Sequence, residues 1–316
     1  MKKSYLISLF LILTLLLTVA SSTQVTKIGS GSQPTIDGTK VAWTNNGVIH
    51  IYDLTTKKDT TINSSKASYP SISGNHLVWH NESTNVPELT VYDIKTGTRF
   101  SIKQNVNTYS KPAVYGKKIV WGTNSGADIN GNIYMSDIST LKETKIGIGS
   151  DPSIYENKIV YSYSGNDTPQ IYMYDIATGK MINVSGDGYN LYPNMYKNKV
   201  IWSDFNTRMG NIRMYDIATK QQTDITTGND TDGYDTGGST NIYDDKIVYV
   251  KHHSEEPQNP YIGVGDIYVY CISTGKIIQL FASDTAETPS VSNNIIVWSD
   301  SGNVYMTEYS CKPLNQ

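Results

Sequence analysis

Two long polar segments carry most of the residues that could bind a ligand or take part in chemistry. They are residues 226–238 (TTGNDTDGYDTGG) and residues 250–265 (VKHHSEEPQNPYIGVG). Carboxylates and imidazoles are the side chains that hold metal ions and transfer protons in proteins. The candidate ligand-binding residues of these segments are Asp230, Asp232, Tyr234, Asp235, His252, His253, Glu255 and Glu256.

Calcium is the one cofactor that these segments suggest, with Asp230 and Asp232 as ligands. The run from Asp230 to Gly233 has the spacing with which an oxygen-rich calcium loop begins. Gly228 and Ser239, however, stand where a complete EF-hand loop has its first and twelfth residues. A solvated acidic loop without a metal is the alternative interpretation, and the sequence leaves both open.

Two further kinds of chemistry are weaker hypotheses. His252 and His253 could bind a transition metal, but consecutive histidines on an exposed loop usually face water. A glycosidase needs two carboxylates about 5 to 10 Å apart in a cleft. Such a pair could come from Asp230, Asp232, Asp235, Glu255 and Glu256, although nothing in the sequence positions them.

The elements that must position these segments are copies of one repeat, seen best in residues 152–184. This repeat has four short extended runs separated by turn residues, the pattern of a four-stranded antiparallel blade of a β-propeller. The copies begin between 36 and 49 residues apart, a spacing typical of such blades. Their first residues are Pro34, Pro70, Pro112, Pro152, Pro193, Thr240 and Pro289.

Two residue types recur once per repeat and are predicted to be structural. A large aromatic residue should be buried between neighbouring blades, contributing about 2 to 3 kcal/mol each; these are Trp43, Trp79, Trp121, Tyr161, Trp202, Tyr249 and Trp298. An aspartate after the third run should accept hydrogen bonds from backbone amides of the following turn; these are Asp53, Asp93, Asp137, Asp175 and Asp216.

The ends of the chain predict how the ring closes. The last repeat has three runs only, whereas residues 26–34 copy residues 144–152, an outer strand leading into a blade. The N-terminal strand, residues 24–28, should therefore supply the fourth strand beside residues 303–309, which removes two exposed strand edges. The predicted fold is all-β: a seven-bladed β-propeller with four antiparallel strands per blade.

Residues 1–22 have the features of a secretory signal peptide. Lys2 and Lys3 precede an apolar run over residues 6–19, and small residues follow at 20–22. The apolar run is short for a membrane span, although a retained anchor is the alternative. The predicted organisation is a signal peptide (1–22), one propeller domain (23–310) and a tail (311–316), with no membrane span after signal removal.

A second candidate site lies where the repeats begin. The residues before the repeat starts should form a ring at the mouth of the central channel, on the face that carries the long segments. A peptide or a sugar could bind there, or the opening could be filled with water and have no function. The ring consists of Gln33, Tyr69, Lys111, Asp151, Tyr192, Ser239 and Thr288.

Covalent modification is consistent with export. Cys271 and Cys311 could form a disulfide or remain two separate thiols, because their separation in space cannot be read from the sequence. Sequons for N-glycosylation begin at Asn63, Asn81, Asn166, Asn183 and Asn229, a short motif that also occurs by chance.

The residues also resemble a known family. The pattern K-I-V-W, then N-I-Y-M-Y-D-I-A-T-G-K, clearest at 158–184 and 199–225, is similar to the TolB-type propeller repeat. More narrowly, it resembles secreted propeller-repeat proteins of the archaeal cell surface. The resemblance covers residues 24–310 and implies a binding or scaffold module without catalytic activity.

Two classes of function follow. The first is a secreted or cell-surface glycoprotein, expected to be monomeric, that binds an extracellular protein, peptide or glycan through its long-loop face. The alternative is an extracellular lyase or glycosidase on a propeller scaffold. A formal net charge of −3 without a basic stripe argues against nucleic acid as a partner.

Overall fold

A computed structural model of the chain describes residues 24–83, 85–102, 106–125, 128–165, 168–206, 210–227, 234–252 and 265–312. The first half of the chain contains β1 (Thr26–Ser30), β2 (Ser32–Asp37), β3 (Lys40–Asn45), β4 (Val48–Asp53), β5 (Lys58–Ile62), β6 (Ala67–Ser73), β7 (His76–Asn81), β8 (Glu88–Asp93), β9 (Arg99–Ile102), β10 (Ala113–Tyr115), β11 (Lys118–Ser125), β12 (Asp128–Asp137), β13 (Glu143–Tyr155) and β14 (Lys158–Tyr163).

The second half contains β15 (Gln170–Asp175), β16 (Met181–Asn183), β17 (Asn190–Tyr196), β18 (Lys199–Asp204), β19 (Asn211–Asp216), β20 (Gln221–Asp224), β21 (Tyr234–Tyr243), β22 (Lys246–His252), β23 (Asp266–Cys271), β24 (Lys276–Phe281), β25 (Ala286–Ser292), β26 (Ile295–Asp300) and β27 (Asn303–Glu308). All pairings between these strands are antiparallel, and the described residues include no helix long and apolar enough to cross a membrane.

The architecture is an all-β propeller, but the predicted count of seven four-stranded blades is wrong. Five sheets are four-stranded blades, in the orders β2-β3-β4-β5, β6-β7-β8-β9, β17-β18-β19-β20, β21-β22-β23-β24 and β1-β27-β26-β25. The strands β10 to β16 instead form a single seven-stranded sheet. The repeat seen in the sequence therefore does not correspond to one separate sheet per copy.

Continuity of β13 joins these seven strands into one sheet. Ile148 pairs with Asn132 of β12, and the next residue, Gly149, already pairs with Tyr163 of β14. At the equivalent point of the N-terminal copy, Gly31 separates β1 from β2, and its amide donates to the carbonyl of Gly302. In β13, therefore, the hydrogen-bonded pairing changes from β12 to β14 within one continuous strand. Among the described strands this occurs only in β13.

Glycine is required at this point of β13 because two backbones approach each other closely. Gly149 has φ = 155°, and a Cβ atom there would overlap the carbonyl oxygen of Ser162. An L-residue at this position would push β13 and β14 apart.

The chain ends close the ring as predicted. The strand β1 pairs with β27, with Thr26 opposite Met306 and Ser30 opposite Asn303. The observed strand spans Thr26–Ser30 rather than residues 24–28, a shift of two residues at each end. The pairing covers both edges that the open chain would expose.

The second strand of each sheet is covered by protein on both faces, because neighbouring sheets pack against it. In β3, for example, Val41, Ala42 and Trp43 are all buried, although successive side chains of a strand point to opposite faces. Trp43 packs with Val297 and Val304 of the last sheet. All seven recurring aromatic residues are at most 2% exposed, which confirms their structural role.

The recurring aspartates build turns, as predicted. The Asp53 carboxylate accepts hydrogen bonds from the amides of Thr55 and Thr56, both at 2.9 Å. These bonds lower the pKa of Asp53, since they favour its ionised form. Cys271 stands where the other repeats have this aspartate, and Asp245 replaces it by accepting from the amide of Ser273 at 2.7 Å.

The innermost strands, called the inner strands below, are β2, β6, β10, the second half of β13, β17, β21 and β25. At their C-terminal ends a belt of contacts joins each inner strand to the next. Three joints use a small polar side chain that accepts from a turn glycine amide: Ser292 from Gly38, Asp37 from Gly74 and Ser73 from Gly116, at 3.0, 2.6 and 3.2 Å.

The rest of the belt is a run of four tyrosines, called the tyrosine arc. Ring centroids are 4.7 Å apart between Tyr115 and Tyr155, 5.0 Å between Tyr155 and Tyr196, and 4.3 Å between Tyr196 and Tyr243. The hydroxyl of Tyr243 donates to Asn293 Oδ1 at 3.0 Å and thereby completes the belt. Aromatic packing thus contributes to three of the seven joints of the belt.

Candidate ligand-binding site at the channel mouth

The opposite end of the channel, called the channel mouth, opens into a cavity of about 430 Å³ between the inner strands. Its volume is in the range of small-ligand pockets. Each inner strand contributes the first residues of its repeat to the wall. The predicted ring residues that line the cavity are Gln33, Tyr69, Lys111, Asp151, Tyr192 and Thr288.

Most of these ring residues have an unusual backbone conformation. Gln33, Tyr69, Asp151, Tyr192 and Thr288 have φ between 50° and 56°, in the left-handed region that non-glycine residues rarely adopt. Each lies at a register shift between its inner strand and the next strand. A bulge of this kind redirects a side chain, so the fold sets the direction of the ring residues at the mouth.

Tyr69 occupies an acidic part of the mouth. Its amide donates to Gln33 Oε1 at 2.7 Å. Burial raises the pKa of the Tyr69 hydroxyl, and the nearby carboxylates of Glu287, Glu82 and Asp151 raise it further. Three acids contributed by different sheets are therefore close enough to act on one hydroxyl.

The hydrogen bonds of the fold replace only part of the water that the Asp151 carboxylate loses on burial. Ser150 donates its hydroxyl to Asp151 Oδ2 at 2.7 Å, and the Asp151 amide donates to Ser110 Oγ at 2.8 Å. Burial nevertheless raises the pKa of Asp151 to about 6, because the serine hydroxyls offset only part of the loss of water.

Lys111 is the neighbouring cation. The Lys111 side chain is exposed to water at the mouth. It nevertheless lies between the channel walls, and the resulting loss of bulk solvent lowers the pKa of its ammonium to about 8. The group remains largely protonated at neutral pH. Among the residues that the structure describes, neither Lys111 nor Asp151 takes part in an ion pair.

Aromatic side chains surround these charges. Tyr109 lines the cavity and is 89% exposed, the most exposed of the large hydrophobic side chains described. The ring of Tyr192 contacts Phe205 edge to face at 6.4 Å between centroids. Tyr69 contacts the ring of His80 at 6.0 Å in the same manner. Such rings can pack on the apolar parts of a peptide or a sugar.

His80 lies beneath the mouth and is fully buried. Within normal hydrogen-bond distances, neither ring nitrogen has a partner among the described residues, and the backbone of Thr108 is the nearest polar group acting on it. Burial lowers the pKa of His80 to about 4, so the ring is neutral at physiological pH.

The long polar segments of the sequence contribute less to the described site. Asp230, Asp232, His253, Glu255 and Glu256 lie outside the described residues. Tyr234 and Asp235 begin β21, where the backbone alone is described, and His252 ends β22 as a half-buried residue. The binding, calcium and glycosidase hypotheses for these segments remain predictions. Elsewhere in the described part of the chain, no group of three or more His, Cys, Asp or Glu residues could hold a metal ion.

Sequence reasoning missed several residues of the site. Glu287 directly precedes the ring residue Thr288, and Tyr109 lies two residues before Lys111, so their positions in the repeat could have indicated them. Glu82 is different: it follows β7 and is brought to the mouth by a hydrogen bond from Ser68 at 2.8 Å. No signal in the sequence reveals that contact.

The two cysteines form a disulfide, with Cα atoms 5.4 Å apart. It joins the end of β23 to the segment after β27 and so connects two neighbouring sheets. Of the sequons, Asn63 and Asn183 are exposed, Asn81 is half-buried, and Asn166 and Asn229 lie outside the described residues. The Asn183 amide donates to Gln170 Oε1 at 2.8 Å. Glycosylation remains a prediction.

Comparison with solved structures defines the class of the fold, a TolB-like β-propeller. TolB from Acinetobacter baumannii is 17% identical over 83% of this chain, with a TM-score of 0.55, and this chain spans 64% of its length. The propeller domain of the Trilobed protease from Pyrococcus furiosus is 15% identical, covering 91% of this chain and 98% of its own, with a TM-score of 0.66.

An oligogalacturonate lyase from Vibrio parahaemolyticus is 10% identical, covering 92% of this chain and 94% of its own, with a TM-score of 0.65. At these identities the likeness concerns the fold alone. No family model matches the chain, and no curated protein sequence matches it. The Pyrococcus domain is described as having an open velcro topology, whereas β1 and β27 close the ring here.

Proposed function

We propose that this protein is an exported, non-catalytic propeller that binds a ligand at the channel mouth. The observation that carries the proposal is that Asp151 and Lys111, on the wall of one cavity, form no ion pair with any residue that the structure describes. Charges that lose water without gaining a partner destabilise a fold, and such groups concentrate at functional sites.

The surrounding residues suit recognition of a peptide or a glycan. Tyr69, Tyr109 and Tyr192 offer rings and hydroxyls, and Gln33 and Thr288 add polar groups. A pocket with a few polar groups among aromatic side chains is the usual form of a small-ligand site. The left-handed backbone of five ring residues holds these groups in fixed directions before a ligand arrives, which reduces the entropic cost of binding.

Export is part of the same proposal. Residues 1–22 have the pattern of a signal peptide, and a disulfide between Cys271 and Cys311 is typical of proteins outside the cytosol. We propose a secreted or cell-surface location on these two grounds. Mass spectrometry of the protein recovered from its source would test it by locating the N-terminus of the mature chain.

Screening of peptide and glycan arrays would test the binding function. Tyr109→Ala removes an exposed ring at the mouth and should leave the fold intact. Ile277→Ala, at an exposed apolar residue on the outer strand β24, is the control away from the mouth. We expect array ligands to bind the wild type and the control and to bind Tyr109→Ala at least several-fold more weakly. Equal binding by all three proteins would place the site elsewhere.

A further inference from the structure

Lys111 and Asp151 are neighbours in the ring that do not pair with each other. Ser110, the residue next to Lys111, accepts a hydrogen bond from the Asp151 amide at 2.8 Å, so the two side chains start from adjacent points of the wall. An ion pair between them would recover part of the energy that each charge loses on leaving water, but no such pair is formed. Both residues line the same cavity.

The two charges also lie in different electrostatic surroundings. Asp151, Glu82 and Glu287 all act on the Tyr69 hydroxyl. Among the described residues no charged group acts on the Lys111 ammonium, and loss of solvent lowers its pKa. Lys111 therefore stands in the ring between Tyr69, on whose hydroxyl the three carboxylates act, and Asp151.

From this arrangement we infer that the channel mouth binds a compact zwitterion, namely a short peptide with both termini free. The α-ammonium group lies next to the Asp151 carboxylate, and the tyrosine rings of the same mouth add attraction for a cation. The α-carboxylate accepts from the Lys111 ammonium. The inference rests on the proposed binding function and specifies its ligand.

Size and shape agree with this ligand class. A cavity of about 430 Å³ has room for a peptide of a few residues. Tyr192 and Tyr109 lie on the same wall and can pack against the peptide side chains. A longer peptide would extend out of the mouth. One of its two termini would then be unable to contact its partner, Lys111 or Asp151.

Isothermal titration with Ala-Ala-Ala tests the inference. The other probes are the N-acetylated tripeptide, the C-amidated tripeptide, free alanine and neutral maltotriose. We expect Ala-Ala-Ala to bind and each blocked form to bind at least tenfold more weakly, since each lacks one charge contact. Free alanine should bind less tightly than the tripeptide, because it fills less of the cavity.

Two variants test which residue binds each terminus of the peptide. Lys111→Met should abolish the preference for a free carboxylate, and Asp151→Asn should abolish the preference for a free amine. Lys117→Met and Glu156→Gln, exposed residues at the other end of the channel, should change neither. This pattern of paired losses cannot result from a general loss of folding.

Other outcomes overturn the inference. Equal affinity for free and blocked peptides would show that the termini are not recognised, and failure of every zwitterionic probe to bind would remove the ligand class. Binding of maltotriose that is lost in Tyr109→Ala would preserve the proposed binding function and refute the zwitterion. If no array ligand or probe depended on Tyr109, Lys111 or Asp151, both would be refuted.

Discussion

The hydroxyl of Tyr243 donates to Asn293 Oδ1 at 3.0 Å, across the junction between the inner strands β21 and β25. This bond completes the belt at the turn end of the channel, where the tyrosine arc meets the joints made by small polar residues. The arc packs rings at 4.3 to 5.0 Å between centroids, within the usual range for aromatic pairs. The belt fixes the inner strands at the end opposite the candidate site.

Removing a tyrosine from the middle of the arc should therefore destabilise the fold. Tyr196→Ala loses two ring contacts and is expected to lower the free energy of unfolding by about 2 to 3 kcal/mol. Tyr243→Phe keeps the ring but loses the hydrogen bond to Asn293, for about 1 kcal/mol. Urea denaturation measures both. Tyr109→Ala, at an exposed ring, is the control and should remain within about 0.5 kcal/mol of the wild type.

The disulfide should stabilise the closure of the ring. Cys271 and Cys311 are 40 residues apart in sequence, and the cross-link restricts the unfolded chain by about 2 to 4 kcal/mol. The double variant Cys271→Ser and Cys311→Ser should unfold at lower denaturant concentration. The wild type with a reducing agent should behave like the variant, and the variant should not respond to the reducing agent. An unchanged midpoint in both experiments would contradict the prediction.

The ionised Asp151 carboxylate should lower the stability of the fold while it strengthens peptide binding. Its pKa is about 6 in the fold against 3.8 as the ordinary value, so protonation favours the folded state. Stability from this group is therefore present below pH 3.8 and is lost as the pH rises through 6. At pH 7.5, Asp151→Asn should be more stable than the wild type by about 1 to 2 kcal/mol, a value reduced for residual water contact.

Thermal unfolding at two pH values checks this sign. The variant should have the higher Tm at pH 7.5, and the difference should nearly vanish at pH 4. Peptide binding should change in the opposite direction, with the more stable variant binding more weakly. A variant that is less stable at pH 7.5 would show that the carboxylate is a structural element of the mouth.

His80 should respond to pH in the opposite direction from Asp151. The folded state holds the ring neutral to a pKa of about 4, whereas the unfolded chain protonates near 6.5. The contribution of the neutral ring is complete above pH 6.5 and decreases as the pH falls towards 4. Replacement by leucine removes two unsatisfied buried nitrogens and this pH dependence.

The corresponding measurement compares the urea midpoints of His80→Leu and wild type. At pH 7.5 we expect a difference below about 1 kcal/mol, and at pH 5 we expect the variant to be more stable by about 1 to 2 kcal/mol. Parallel pH profiles for the two proteins would mean that the ring finds a partner when protonated.

The sequence predicted the strands and their order well because each repeat carries local signals. The apolar run at 158–161 and the turn aspartate Asp175 define strand and turn within a few residues of each other. The closure by β1 was predictable because residues 26–34 copy residues 144–152. The same two copies explain the wrong blade count. The strand is interrupted at Gly31 in one copy and continues through Gly149 in the other. This difference depends on the pairing with neighbouring strands, which the sequence of the copies does not show.

The location of the site at the channel mouth was predictable from the sequence, but only some of its residues and contacts were. The residue before each repeat start was placed at the mouth from topology alone. The approach of Glu82 to Tyr69 depends on a loop contact, and whether Lys111 and Asp151 pair depends on how their side chains are placed in the folded cavity. Neither is encoded by residue spacing. The tyrosine arc was visible as a tyrosine before the turn in four successive repeats, but its packing required the ring geometry.

The most direct test of the binding account is a crystal structure of the protein grown with Ala-Ala-Ala. We predict peptide density in the channel mouth, with the ammonium within about 3 Å of an Asp151 oxygen and the carboxylate within about 3 Å of Lys111 Nζ. A mouth that contains only ordered water at saturating peptide, or a peptide bound elsewhere on the propeller, would contradict the account.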